Sequence, residues 1–153
     1  MKNKPFCLSD IIKITHNCEL SESYVRYLCG LANETKYRHQ EVLDIESLLA
    51  TINIDKNKLT GFIYGYLVPQ LNKEFDLIKI TGSCCLNIEL KSDEISEKKL
   101  KRQLIQNLHY LKLLNKEYLY SFAYISSSKR VLTINSEKEL VECSIYRLIS
   151  VLN

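Results

Sequence analysis

The 153-residue sequence has no tryptophan, one methionine, two prolines and four glycines. So few prolines and glycines, with 46% hydrophobic and 25% charged residues, exclude a disordered or low-complexity chain. No apolar run approaches the roughly 18 residues that a membrane-spanning helix needs. Residues 1–6 lack the apolar stretch of a signal peptide. We therefore expect one cytoplasmic domain, without a membrane partner, that is large enough to bury its own core.

The six cysteines contain no Cys-x-x-Cys pair, which is the spacing typical of zinc sites and redox motifs. Cys84 and Cys85 are adjacent, so in a strand their side chains point to opposite faces and do not share a metal ion. We predict that the cysteines are reduced and mostly buried. The net charge of +3 permits an acidic partner without requiring one.

A predicted β-hairpin is the feature around which the rest of the chain is organised. Residues 75–80 and 84–91 are rich in β-forming side chains. Gly82-Ser83 between them is typical of a two-residue turn of type II′. Along 84–91 apolar and polar side chains alternate, which predicts one core face and one working face.

This register places two carboxylates and an amine on one face of the hairpin. Asp76 lies directly across from Glu89, and Lys91 lies two residues further along. Two opposed carboxylates repel each other unless a cation lies between them. Mg²⁺ binds carboxylate and phosphate oxygens, and a neighbouring ammonium orients or deprotonates an attacking water. The three residues therefore suit phosphodiester hydrolysis, although a solvated sheet face would carry the same residues. Since none belongs to a core stripe, we expect their removal to leave the fold intact.

The residues after the hairpin predict a helix over 96–114, capped by Asp93 or Ser96. Its apolar stripe consists of Leu100, Leu104, Leu108 and Leu111. A second stripe of hydrogen-bonding side chains beside it consists of Gln103, Asn107 and Tyr110. The first turns carry the basic residues Lys98, Lys99, Lys101 and Arg102. These basic side chains suit contact with a phosphate backbone, and equally a solvated helix face.

Asp76, then Glu-Leu-Lys at 89–91, then a helix with Gln103 and Tyr110 resembles the PD-(D/E)XK nuclease superfamily. The likeness is to members of the recombination-exonuclease type, which have a Gln…Tyr motif in this helix. Phe75 replaces the proline that usually precedes the family's Asp. The resemblance implies a restriction-endonuclease-like αβββαβ core, in which a mixed central sheet is flanked by helices.

The resemblance also implies a nuclease that depends on Mg²⁺ or Mn²⁺ and acts on DNA rather than RNA. Asp76, Glu89 and the Leu90 carbonyl would bind the metal, and Lys91 would position the attacking water. The candidates for substrate binding, from the resemblance and from charge, are Gln103, Asn107, Tyr110, Lys99 and Arg102. The runner-up function is a nuclease-like docking domain for nucleic acid or protein, without catalysis, in a helicase-type or mobile-element assembly. A helicase would be the fused or separate partner.

The first helix of such a core is predicted over 37–52, where apolar residues recur at helical spacing. Glu41 falls within the apolar arc, whereas Glu46 lies at its edge. A carboxylate that faces inward needs a partner. The resemblance makes Glu41 a further metal ligand, and the alternative is a rim residue paired with Arg38.

The remaining elements complete an α/β domain. Strands are predicted over 62–67, 118–125 and 130–134, and Gly65 indicates a bulge or a close approach by a ligand.

Outside the core, residues 8–16 form either a helix or a strand, and 21–31 form a helix. Ser136 and Glu139 form a capping box, which predicts a final helix from 136 to 152. The expected divisions are an N-terminal helical extension (1–36), a core (37–134) and a C-terminal helix (135–153).

Overall fold

The computed structural model describes residues 3–68 and 71–152. The α-helices are α1 (Leu8–Ile11), α2 (Cys18–Cys29), α3 (His39–Thr51), α4 (Glu97–Leu111) and α5 (Ile145–Leu152). The strands are β1 (Phe6–Cys7), β2 (Thr60–Val68), β3 (Lys73–Ile80), β4 (Cys84–Lys91), β5 (Tyr118–Ile125), β6 (Arg130–Ile134) and β7 (Leu140–Cys143). Short 3₁₀ segments occur at Lys56–Leu59 and Lys112–Leu114.

Within the described residues, seven strands form one sheet in the order β1-β2-β3-β4-β5-β6-β7. Every neighbouring pair is antiparallel except β4 and β5, which are parallel. A parallel pair needs a crossover that returns the chain to the same end of the sheet, and α4 forms it. The fold is thus mixed α/β, with a mostly antiparallel sheet flanked by helices.

Helices cover both faces of the sheet. The larger core lies on the side of α3, called here the α3 face, where α1, α2 and α5 also pack. On the opposite side, called the α4 face, the leucines of α4 pack in two smaller clusters. Leu86, Ile88 and Leu90 of β4 lie on the α3 face, whereas Cys85 lies on the α4 face. The alternation predicted along β4 therefore separates two layers of helices.

Side-chain caps explain where two of the helices begin. Asn17 accepts the N–H of Leu20 at 3.0 Å, so α2 starts earlier than the predicted 21–31, and Gly30 ends it with φ 62°. Ser96, one of the two predicted caps, accepts the N–H of Lys99 at 3.5 Å at the start of α4. The open question at residues 8–16 resolves into the short α1, preceded by β1 on the edge of the sheet.

The predicted C-terminal helix over 136–152 is wrong in its first half. Asn135 Oδ1 accepts the N–H groups of Glu137 at 3.0 Å and Glu139 at 2.9 Å, and its own N–H bonds Glu139 O at 3.0 Å. These bonds close a turn and satisfy the donors that a helix start would have offered to Ser136. Leu140–Cys143 then pairs with β6, and α5 begins only at Ile145.

The hairpin between β3 and β4 has the predicted register, with pairs from Ile80–Cys85 to Leu77–Ile88. The predicted type II′ turn is wrong, because Gly82 does not have the positive φ that this turn requires at its first central residue. Instead, Thr81 closes the loop. Its N–H donates to Cys84 O at 2.8 Å, and its Oγ1 accepts the Cys84 N–H at 3.1 Å.

All six cysteines lie among the described residues, and all are free thiols. Only Cys29 and Cys85 are buried, and Cys18 is exposed, so the prediction that most are buried is wrong. No helix in residues 3–68 or 71–152 is long and apolar enough to cross a membrane.

Candidate functional site

A gap between two strands of the sheet contains the predicted catalytic residues. The ladder between β3 and β4 ends at the pair Leu77–Ile88. Beyond that point β3 remains paired with β2 as far as Lys73, and β4 remains paired with β5 as far as Lys91. The two strands therefore separate into an open wedge, called here the fork, formed by residues 73–76 and 89–91.

Both strands on one side of the fork change face as they enter it. Residues two apart in a regular strand share a face. In β3, however, Leu77 packs on the α3 face and Phe75 on the α4 face. In β2, Tyr64 and Tyr66 show the same change. The alternation breaks at the intervening residues, which are Asp76 in β3 and Gly65 in β2.

Gly65 is the residue that permits this change of face. Its φ is +61°, a conformation that L-residues with a side chain rarely adopt. The predicted bulge at Gly65 is absent, because the register between β2 and β3 is the same on both sides of it, and the strand changes face there instead. The partner of Gly65 by register is Asp76, since the flanking pairs are Tyr64–Leu77 and Tyr66–Phe75.

Asp76 lies at the fork and accepts a hydrogen bond from the backbone of β4. The Leu90 N–H donates to Asp76 Oδ2 at 2.9 Å, so the carboxylate takes the place that a strand partner would have had. The pKa of Asp76 is raised to about 7, first by burial and second by the charge of the neighbouring Glu89 carboxylate. The Leu90 N–H and the Lys91 ammonium act in the opposite direction. The two carboxylates therefore repel each other, although the predicted pair of Asp76 with Glu89 does not form because the ladder ends at Leu77–Ile88.

Glu89 is held from above by α4. The side chain of Gln103 donates to Glu89 Oε2 at 2.7 Å, and that of Asn107 donates to Glu89 Oε1 at 2.8 Å. Glu89 is only 2% exposed. We therefore expect its removal to lower stability, contrary to the expectation from the sequence, because the amides of Gln103 and Asn107 would each lose an acceptor.

Two lysines flank the Glu89 carboxylate at longer range. Lys91 Nζ lies 3.9 Å from Oε2, and Lys73 Nζ lies 3.8 Å from Oε1. The hairpin pattern predicted Lys91 but missed Lys73. Regular alternation from Leu77 would have placed Lys73 on the α3 face, away from Glu89. Only the irregularity signalled by Gly65 could have indicated otherwise.

A buried polar strip continues from Glu89 beneath α4. Asn107 Nδ2 also donates to Asn87 Oδ1 at 3.1 Å, and the Ser121 hydroxyl donates to the same oxygen at 2.7 Å. Among buried side-chain atoms of the described residues, Asn107 Oδ1 alone has no hydrogen-bond partner. The orientation of the Asn107 amide is fixed because both acceptors face its nitrogen. This strip ties Glu89 rigidly to the sheet and to α4.

Glu41 approaches the fork from α3. Its carboxylate accepts a hydrogen bond from the Tyr64 hydroxyl at 2.5 Å and lies 3.3 Å from Arg38. The pKa of Glu41 is raised to about 7, first by burial and second by the charge of Asp76. The alternative of a pair with Arg38 is thus present, together with an electrostatic link to Asp76.

The other residues predicted to bind substrate do not meet at Glu89. Tyr110 lies against the apolar cluster beside Leu111, and its hydroxyl accepts a hydrogen bond from Gln106 at 3.4 Å. Lys99 and Arg102 are exposed on α4. Of the predicted residues on this helix, the structure therefore brings only Gln103 and Asn107 to the carboxylates.

No family model, curated protein or solved structure matches this chain. Its candidate site is therefore defined by the geometry of the fork.

Asp44 is a buried carboxylate that the sequence interpretation missed. It is 2% exposed and accepts hydrogen bonds from the hydroxyls of Ser126 at 2.7 Å and Ser92 at 3.1 Å, and from Gln40 at 3.2 Å. Ser92 and Ser126 directly follow β4 and β5, so Asp44 holds together the ends of the two parallel strands. Three residues after Glu41 on α3, it fixes the helix over the fork.

The fork offers oxygen donors that suit a hard divalent cation. Across residues 3–68 and 71–152, no group of three or more His, Cys, Asp or Glu side chains is arranged to hold a metal ion. Asp76 and Glu89 supply two carboxylates. The Leu90 carbonyl points into the fork as well, because the N–H and C=O of one strand residue point to the same side. Mg²⁺ often binds through one or two carboxylates and completes its shell with water and phosphate, so the donor set fits that ion.

Proposed function

We propose that this chain is a nuclease that uses Mg²⁺ or Mn²⁺ to hydrolyse phosphodiester bonds of DNA. The observation that carries the proposal is the pair of carboxylates at the fork. Burial raises the pKa of Asp76, and the neighbouring Glu89 carboxylate raises it further because two negative charges lie close together. A divalent cation between them would relieve this repulsion, and Lys91 stands beside them.

The order of elements supports a restriction-endonuclease-like core. Helix α3, the meander β2-β3-β4, helix α4 and strand β5 follow one another along the chain. Strand β5 lies parallel to β4 and next to it. The resemblance implies this order of helix, three strands, helix and strand, and it places the acidic residues on the second and third strands of the meander, as here.

Each residue of the fork has a role in the proposed reaction. Asp76, Glu89 and the Leu90 carbonyl would hold the ion, which when bound acts as a Lewis acid on the phosphate and lowers the pKa of water. Gln103 and Asn107 fix the Glu89 carboxylate in one orientation. Lys91 orients the attacking water. The water oxygen bonds to phosphorus and gives up one proton, the bond to the leaving sugar oxygen breaks, and that oxygen takes up one proton, so the number of protons is unchanged.

The test is cleavage of labelled single- and double-stranded DNA by the purified chain with Mg²⁺, with Mn²⁺ and with EDTA. Cleavage should require the metal and should fall at least about 100-fold in Asp76→Ala, Glu89→Ala and Lys91→Ala. Glu46→Ala removes an exposed carboxylate from α3 and is the matched control, expected to cleave like the wild type. Circular dichroism reports whether each variant is folded. Full metal-dependent cleavage by folded Asp76→Ala or Glu89→Ala would contradict the proposal.

A second candidate is a docking domain for nucleic acid or protein that has kept this fold without catalysis. The observation that favours it is the engagement of Glu89, whose two oxygens already accept amide donors in a nearly closed environment. It predicts no cleavage with any divalent metal, and DNA binding that weakens as salt rises if phosphates are the target. The same assay with a binding measurement separates the two functions.

A further inference from the structure

Lys73 is a cation that the proposed reaction above does not use. Its side chain is 16% exposed, and its ammonium lies 5.1 Å from the centre of the Phe75 ring. Phe75 is itself completely buried, so the ring beside the ammonium is fixed in place. The change of face at Asp76 brings both residues to the α4 face. A lysine held in this way has little freedom left to lose on binding a ligand.

The distances around Glu89 leave the Lys73 ammonium available for a further acceptor. A charge-assisted hydrogen bond to a carboxylate has a length of about 2.7–2.9 Å. Lys73 Nζ remains 3.8 Å from Glu89 Oε1, and Asn107 already donates to that oxygen at 2.8 Å. Lys91 Nζ remains 3.9 Å from Oε2 in the same manner. Two ammonium groups thus flank the carboxylate from different sides, and neither forms a direct hydrogen bond with it.

We propose that Lys73 binds a phosphate group of the DNA substrate, as the second of two ammonium groups at the fork. This proposal rests on the proposed function. A phosphodiester carries a negative charge and acceptor oxygens, and neither ammonium group forms a direct hydrogen bond with Glu89. Lys91 and Lys73 arise from different strands on the two sides of the fork. A phosphate between them would therefore contact one ammonium group from each side of the fork.

The first measurement is the affinity for fluorescein-labelled DNA in Ca²⁺, followed by anisotropy over a series of KCl concentrations. Lys73→Met keeps an unbranched apolar side chain and removes the charge. We expect it to weaken binding about 10-fold and to lower the slope of log affinity against log salt by about one. Lys73→Arg keeps the charge and should keep the slope. Lys79→Met is the matched control, because Lys79 also lies on β3 with its ammonium 5.5 Å from an aromatic ring, at the far end of the strand from the fork.

The second measurement is Mg²⁺ binding by isothermal titration calorimetry without DNA. Removal of a positive charge beside the carboxylates should leave Mg²⁺ affinity unchanged or raise it. Weaker Mg²⁺ binding in Lys73→Met would indicate a structural role and would overturn the proposal. An unchanged affinity and salt slope for DNA would overturn it too, and binding of RNA alone would overturn the assignment to DNA.

The two proposals fail in different ways. If the wild type cleaves DNA and Lys73→Met keeps the full salt slope, the proposed nuclease activity is supported and the proposed phosphate contact of Lys73 is wrong. If the wild type does not cleave DNA, and its DNA binding depends on Lys73, the proposed hydrolysis is wrong and the proposed phosphate contact is supported.

Discussion

Asp76 is the side chain on which the charge of the fork depends. Its pKa in the folded protein is about 7, whereas the ordinary value for an aspartate is 3.8. The folded state therefore binds the proton more tightly than the unfolded state. By linkage, the contribution of this group to stability is fully present below about pH 4 and is lost as the pH rises through about 7. A carboxylate binds a metal in its ionised form. Above about pH 7, where Asp76 is ionised, its negative charge therefore destabilises the metal-free protein.

Asp76→Asn should therefore stabilise the protein, and under the proposed nuclease function it should also abolish cleavage. Asparagine can still accept the Leu90 N–H, but it carries no charge to oppose Glu89. We expect the free energy of unfolding at pH 8 to rise by about 1–3 kcal/mol, and the gain to shrink toward pH 5. Urea unfolding at the two pH values measures both quantities.

The exposed Asp93 provides the control for this effect. Asp93→Asn should leave the free energy of unfolding within about 0.5 kcal/mol of the wild type at both pH values. If Asp76→Asn were less stable than the wild type at pH 8, the Asp76 carboxylate would be stabilising in its charged form, contrary to its raised pKa.

Some of the residues at the fork could be predicted from the sequence. A hairpin register predicts that Asp76, Glu89 and Lys91 are neighbours, and a helical stripe aligns Gln103 with Asn107. Lys73 and Asp44 were missed for different reasons. The first reaches the fork only through a break in alternation. The second lies on the same helix as Glu41, but its partners are serines far along the chain, which no local pattern connects to it.

The helices and strands show where local patterns suffice. The bounds of β4, β5 and β6 agree with the predicted 84–91, 118–125 and 130–134, because alternation and flanking turns define them. The segment after β6 was misread. A Ser-x-x-Glu pattern also fits a turn when an asparagine precedes it, and the four-residue β7 is too short to show a period.

Gly65 allows a prediction about the stability of strand β2. Space is not limiting, because an added Cβ would lie 3.8–4.0 Å from its nearest neighbours. The cost of Gly65→Ala comes from φ +61°, and it should lower the free energy of unfolding by about 1–2 kcal/mol. Gly65→Asn should cost less, since asparagine tolerates this conformation better. Thermal or urea unfolding measures the difference.

Gly82 is the matched glycine on the same hairpin. It has no positive φ, and an added Cβ would have no neighbour within 4 Å. Gly82→Ala should therefore leave stability within about 0.5 kcal/mol of the wild type. Equal losses in Gly65→Ala and Gly82→Ala would mean that the change of face does not depend on Gly65.

For the whole molecule, the fork exists because one sheet contains both an antiparallel meander and a parallel crossover. Within the fork, strand β3 remains paired with β2 and strand β4 remains paired with β5, so each side of the fork is held by a different neighbouring strand. The sequence predicted the order of these elements. It could not predict that β3 and β4 would separate, because hydrogen-bond pairing across a sheet leaves no trace in hydrophobic periodicity.

The hydrogen bond from the Leu90 N–H to Asp76 Oδ2 turns one amide into a spectroscopic reporter. Most backbone protons in the sheet bond to carbonyls, which do not titrate. The Leu90 proton bonds to a carboxylate whose pKa is about 7, so its ¹H and ¹⁵N chemical shifts should follow a titration curve centred near that pH. Added Mg²⁺ should shift the same resonance, and Asp76→Asn should abolish the pH response. A Leu90 resonance that stays constant between pH 5 and 9 would mean that Asp76 does not titrate in this range. A single cross-peak can thus report both the protonation of Asp76 and any response of the fork to added Mg²⁺, without a substrate.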